Sequence, residues 1–227
     1  MQFLNRYLDA AVLRPELTRR EAEDAIKLCL TYGVHTVCVR PCDVPAAVAL
    51  CRGTDTLPGA VLAFPHGIAS TEMKAAEAEL YARLGAREID MVANYGLVKS
   101  HEWGNVERDI GAAADVANAN GILLKVILET CYLTAEEIAG ATEAAIRAGA
   151  GYVKTSTGFA AGGATPEAVC AMVEAAKGRI KVKASGGIRD YDTAMMYLNL
   201  GAERLGVNYS AVKGILDGTP DDGKGGY

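Results

Sequence analysis

The chain has 227 residues, half of them hydrophobic, with 25 glycines, six cysteines and a net charge of −5. An acidic balance with no basic run excludes a nucleic-acid binder, no stretch approaches the ~18 continuous apolar residues of a membrane span, and the start "MQFLNRYLDA" lacks a signal-peptide core. The cysteines (Cys29, Cys38, Cys42, Cys51, Cys131 and Cys170) form no CxxC pair and read as reduced thiols, which predicts a cytoplasmic protein.

A strand is predicted at Tyr7–Val12, followed by a helix over Thr18–Tyr32 that opens on the capping box "TRRE". Strands follow at Thr36–Arg40 and Ala60–Phe64, then a helix at Thr71–Leu84 and a strand at Glu88–Asn94. The alternation continues with a helix at Val106–Asn120, a strand at Leu123–Glu129 and a second capping box, "TAEE", opening Thr134–Ala148. A strand at Tyr152–Thr157 leads to a helix at Thr165–Lys177 with Pro166 at its first position. The last elements are a strand at Lys181–Ser185, a helix at Asp190–Leu200 and a strand at Arg204–Asn208. Gly33, Gly85, Gly121, Gly149, Gly178 and Gly201 each stand just after a helical pattern, as stop signals. Eight strands separated by helices predict a single-domain (β/α)8 TIM barrel over residues 1–217, with a flexible tail at 218–227. A doubly wound open sheet is the alternative, but its GxGxxG turn after the first strand is missing.

Barrel enzymes keep their chemistry at the C-terminal strand ends, so polar residues inside strands matter. Asp90 and Asn94 share one parity of the fourth strand, Lys125 and Glu129 one parity of the fifth, and an ion pair between the last two is expected. Lys181, at the start of the seventh strand, reads as a snorkelling surface residue. Lys154 and Lys183 are central, on neighbouring strands. Burial and mutual repulsion push one of them toward the neutral amine, a nucleophile for a carbonyl, while Asp90 keeps the other charged. The bland alternative is an Asp–Lys pair that only ties strands together. Glycines in "STGF", "SGGI" and "LGVN" place Gly158, Gly186, Gly187 and Gly206 at three neighbouring strand ends, where barrels bind phosphate through backbone amides. Cys38 reads as a core thiol and His66 as a loop packing residue. Three scattered histidines make no metal site, and no cofactor is expected.

The segments "TVCVRP", "FPHG", "DMVANYGLVKS", "LKVILET", "YVKTSTGF" and "VKASGGIR" together resemble the 2-deoxyribose-5-phosphate aldolase family, from about Asp9 to Asn208. That resemblance implies a class I aldolase that needs no metal and acts on small-molecule aldehydes and sugar phosphates. It implies Lys154 as the Schiff-base lysine, Lys183 as the lysine that depresses its pKa, and Asp90 as the proton-relay partner. A homodimer is the candidate assembly. The glycine-rich tail closed by Tyr227 resembles tails of some members, which implies a proton-relay role for its phenol. Cys38 lies near the site on the family pattern, as the thiol most exposed to an electrophilic aldehyde. The chain departs from the family at Ala10 and Ala11, where His-Thr is usual, and at Val207-Asn208-Tyr209, where Thr-Ser-Ser is usual; it also carries Phe159 after "STG". These changes thin the phosphate site and leave Asn208 to contribute its amide. They keep two alternatives open: a lysine aldolase for non-phosphorylated acceptors, and a sugar-phosphate sensor without catalysis.

Overall fold

The computed structural model describes residues 4–218. Eight parallel strands close into a barrel in chain order: β1 (Leu8–Val12), β2 (Thr36–Val39), β3 (Leu57–Leu62), β4 (Glu88–Val92), β5 (Leu123–Ile127), β6 (Tyr152–Lys154), β7 (Lys181–Ser185) and β8 (Arg204–Asn208). The register of β1 against β8, with Asp9 opposite Gly206, completes the ring. The helices outside it are α1 (Arg19–Thr31), α2 (Val44–Cys51), α3 (Thr71–Leu84), α4 (Tyr95–Lys99), α5 (Trp103–Ala119), α6 (Ala135–Arg147), α7 (Pro166–Ala176), α8 (Tyr191–Asn199) and α9 (Ala211–Asp217). Apart from Gly218, the predicted tail and Tyr227 lie outside the described residues.

Local signals explain most boundaries. Thr18 with Glu21, and Thr134 with Glu137, form both reciprocal bonds of a capping box at the starts of α1 and α6. Thr165 caps α7, and Pro166 occupies its first turn. Gly85 ends α3 at φ 92°, a conformation that costs glycine no steric penalty.

Three helices, α2, α4 and α9, lie where no helix was predicted. α2 reads "VPAAVALC", apolar on nearly every side, and α4 has only five residues. Tyr7 belongs to a 3₁₀ turn before β1 rather than to the strand, and β3 starts three residues earlier than the sequence suggested. β6 stops at Lys154 instead of Thr157, yet the chain stays docked. Thr155 donates its N–H to the Lys183 carbonyl, and its hydroxyl both donates to the Ser185 carbonyl and accepts from the Ser185 N–H. A side chain has taken over a rung of the ladder.

The residues alternate around the ring as a barrel demands. One parity (Val37, Val39, Leu62, Ile89, Met91, Leu124, Val126, Val153, Val182 and Leu205) packs outward into the main apolar core beneath the helices. The other parity faces the barrel axis, and there a layer of charged residues lies beneath small and apolar ones.

Candidate active site

Among the described residues, the barrel interior holds three buried carboxylates, Asp9, Glu88 and Asp90, and four buried bases, Lys125, Lys154, Lys183 and Arg204. A buried charge is tolerable only when paired, so the partners decide its state. Lys125 Nζ bonds Glu88 Oε2 at 2.5 Å and Asp90 Oδ1 at 2.9 Å, with Asp9 Oδ2 at 3.2 Å. Lys183 Nζ bonds Asp9 Oδ2 at 2.5 Å and Asp90 Oδ2 at 2.8 Å. Arg204 bonds Asp9 Oδ1 at 2.8 Å. Lys154 Nζ has a single carboxylate bond, 2.8 Å to Asp90 Oδ2, on the oxygen that Lys183 already uses.

That sharing separates the two lysines. Burial disfavours both ammonium ions, but around Lys183 the charges of Asp9 and Asp90 outweigh it and raise its pKa. Lys125 is raised well above the usual lysine value in the same way, by Asp9, Asp90 and Glu88. At Lys154 burial wins: Asp90 pulls its pKa up, Lys183 pushes it down, and the net direction is down. Asp90 is held well below the usual carboxylate range, because Lys125, Lys154 and Lys183 overcome the effect of its own burial.

The sequence placed Asp90, Lys154 and Lys183 together, and they meet on one carboxylate oxygen. The expected Lys125–Glu129 pair is not made. Lys125 turns to Asp9, Glu88 and Asp90, because shared parity fixes a face but not a partner. Glu129 lies past the end of β5 with φ 57° and accepts from the N–H of Thr157 at 3.2 Å and from its hydroxyl at 2.5 Å. Burial raises its pKa, against the Thr157 bonds and the charge of Lys154. Asp9, Glu88 and Arg204 are members of the network that sequence reading did not single out; their signal was the same parity as the lysines. Lys181 is exposed, as expected, and pairs with Glu203 at 3.4 Å.

Above the charges lies a small apolar cluster of Ala11, Leu13, Cys38 and Val61, with Phe64 against it. Phe64 meets Phe159 edge to face at 5.1 Å. Burial, with the nearby Asp90 charge, pushes the Cys38 thiol up to about 12, which keeps it protonated and a poor nucleophile. His66 is exposed.

The glycines divide by role. Gly158 and Gly187 adopt φ 85° and φ 82° in the loops after β6 and β7. Gly186 faces the backbone of Gly163, which leaves no room for a Cβ, and its N–H points to the Gly206 carbonyl at 3.5 Å. Gly206 is inside β8; a Cβ there would strike Ser185 and come within 3.1 Å of Lys183 Cε, so this glycine makes space for the lysine. Asn208 is buried, accepts from the Ser210 N–H at 3.0 Å, and leaves its Nδ2 without a partner among the described residues. A buried donor left unpaired is costly, and a ligand oxygen would satisfy it. No group of three or more metal-ligating side chains occurs among the described residues.

Residues 4–210 match the family model described as DeoC/LacD family aldolase. A protein of Thermococcus kodakarensis named deoxyribose-phosphate aldolase is 44% identical over 222 residues, covering 96% of this chain and 97% of its own. One of the same name from Mannheimia succiniciproducens is 44% identical over 229 residues, covering 100% and 99%. Among solved structures, the aldolase QR15 superposes with TM-score 0.87 at 39% identity, covering 93% of this chain and 94% of that one. A deoxyribose phosphate aldolase from Aeropyrum pernix, described as tetrameric, superposes with TM-score 0.86 at 30% identity over 93% and 89%.

Proposed function

This chain belongs to the DeoC/LacD family of aldolases, and from that premise we propose that Lys154 is its imine-forming residue, flanked by Lys183 and Asp90. The enzyme is a class I aldolase that reversibly cleaves 2-deoxy-D-ribose 5-phosphate to D-glyceraldehyde 3-phosphate and acetaldehyde, the activity for which its relatives are named. The observation that carries the residue assignment is the shared Asp90 oxygen. It leaves Lys154 as the one interior base, among the described residues, with a single carboxylate contact, hence the one best able to lose its proton.

The free Nζ of Lys154 attacks C1 of the open-chain sugar, and loss of water gives an iminium ion. The C3 hydroxyl gives up its proton while the C2–C3 bond breaks; its electrons flow to the iminium, leaving an enamine on Lys154 and releasing glyceraldehyde 3-phosphate. Protonation at C2 restores an iminium, and water hydrolyses it to acetaldehyde and the free amine. Asp90, which touches Lys154, and Lys183, which shares the same Asp90 oxygen, take part in these proton transfers. Correctly placed proton donors and acceptors contribute ~10²–10⁴-fold. Gly158, Gly187 and the unpaired Asn208 amide are the candidate phosphate and hydroxyl contacts, with Gly186 and Gly206 shaping the strand ends behind them. The Tyr227 phenol is a further candidate for proton exchange at C2, and Tyr227→Phe would then slow deuterium entry into acetaldehyde without slowing imine formation.

The test is borohydride reduction in the presence of acetaldehyde, followed by mass mapping. A two-carbon adduct on Lys154 is expected; an adduct on another lysine, or none, overturns the assignment, and none at all favours a non-catalytic sugar-phosphate binder. The apolar cluster at the mouth, with Phe64 and Phe159, favours a second reading of specificity in which non-phosphorylated acceptors are also used. Comparing kcat/KM for deoxyribose with and without its phosphate decides between them. A cytoplasmic location fits six unpaired cysteines and the absence, among the described residues, of a helix able to cross a membrane; the homodimer is checked by sedimentation.

A further inference from the structure

The opposite mouth of the barrel, at the N-terminal strand ends, opens on a cavity of about 550 Å³, within the size range of small-molecule sites. Its ionisable lining is one-sided. His35, Arg87, Arg179, Lys181 and Arg204 face it, against Glu88, which is already held by Lys125. Lys181 Nζ and the Arg204 guanidinium both sit over the Tyr152 ring, at 5.8 and 5.6 Å, so that ring gathers two cations on the cavity wall. Arg87 makes no ion pair among the described residues. Lys181 is tied to Glu203 by a half-exposed pair at 3.4 Å, the kind that contributes little and can yield to a stronger anion, while Arg179 holds Glu143 through two bonds, at 3.0 and 2.6 Å, on a half-exposed surface.

We propose that this cavity is a second binding site, for a small multivalent oxyanion, and that its occupation is felt at Lys154 through the side chains that fill the barrel. Two unbroken routes run from floor to amine. Arg204 meets Asp9, Asp9 meets Lys183, and Lys183 shares the Asp90 oxygen with Lys154. His35 Nε2 lies 3.5 Å from Glu88 Oε1, Glu88 meets Lys125, and Lys125 meets Asp90. Negative charge at the floor favours every cationic form in this low-dielectric column, the Lys154 ammonium included. The other titratable groups facing Lys154 are Asp90, Lys183, Cys38 and Glu129. The anion therefore reduces the free amine and moves the acid limb of the rate profile to higher pH. It acts as a brake from the far end of the barrel.

The binding half of this inference stands alone; the coupling half rests on the reading of Lys154 given above. Titration calorimetry with pyrophosphate, and with citrate as a carboxylate probe, measures the first. The parent is expected to bind one equivalent, and the double variant Arg87→Ser/Arg179→Ser to bind at least about tenfold more weakly while keeping its circular dichroism. No saturable binding in the parent, or equal affinity in the variant, overturns the site. Borohydride-trapped imine formation from acetaldehyde measures the second, each protein being compared with itself without anion. On the acid limb, pyrophosphate should slow the parent roughly three- to tenfold, the equivalent of about half to one unit of amine pKa, and slow the variant less. Equal slowing in both places the anion at the catalytic mouth and overturns the coupling. A parent that traps no imine refutes the reading of Lys154, while the calorimetry still decides the site.

Discussion

Replacing Lys183 by leucine does two things to its neighbour. It removes a positive charge, and it returns the shared Asp90 oxygen to Lys154 alone. Both favour the ammonium form, so the acid limb of the rate profile should move to higher pH; an unchanged profile would show that the two amines do not interact. Lys125→Met takes the ammonium from Glu88 Oε2 and Asp90 Oδ1, leaving the buried carboxylates short of one positive charge, and should destabilise by about 3–5 kcal/mol in urea unfolding. Lys154, Lys183 and Asp90 were legible because a charge in mid-strand contradicts the apolar run expected of a covered sheet. Asp9, Glu88 and Arg204 were not, because near a strand start a charged residue looks like a surface one. Glu129 was misread for a backbone reason: its positive φ takes it off the strand path, and parity counting stops there.

At the level of elements, the capping boxes were readable from four-residue patterns, and they carry a measurable share of stability. Thr134→Ala removes the acceptor for the Glu137 N–H and should cost about 1 kcal/mol, seen as a lower urea midpoint with unchanged slope. The loop after β6 was less readable, since Thr155 to Thr157 look like three more strand residues. Their side chains instead tie the loop to its neighbours: Thr155 to Ser185, and Thr157 to Glu129 and the Phe159 N–H. Glu129→Ala should loosen this loop and raise KM for the sugar phosphate more than it lowers kcat. Glu129→Gln, which keeps an acceptor for the Thr157 N–H, should recover most of the loss; equal damage in both variants would point to the charge instead.

Across the whole molecule, the fold class followed from counting alternations, because eight strand–helix units of this length have few other ways to close. What counting cannot supply is the content of the barrel. The interior charges set how stability responds to pH. Asp9, Glu88 and Asp90 are all depressed in the folded state, so their contribution is present above the ordinary carboxylate range, near pH 4, and lost as pH falls below it. Lys125 and Lys183 are raised, so theirs is present below about pH 10.4 and lost as pH climbs past it. Between these limits the lowered Lys154 makes stability rise with pH and the raised Glu129 opposes it, so the plateau is sloped; urea midpoints should fall on crossing either limit, and midpoints unchanged across both would contradict this.

The charges also fall unevenly along the chain. All three interior carboxylates stand on β1 and β4, and all four interior bases on β5 to β8. Cut at the exposed Asn120–Gly121 turn, the protein would yield an acid-lined half and a base-lined half, each burying charges that only the other can neutralise. Neither should fold alone. Mixed, the two fragments should find each other quickly at low salt and more slowly as ionic strength screens them, and aldolase activity should return only with the pair.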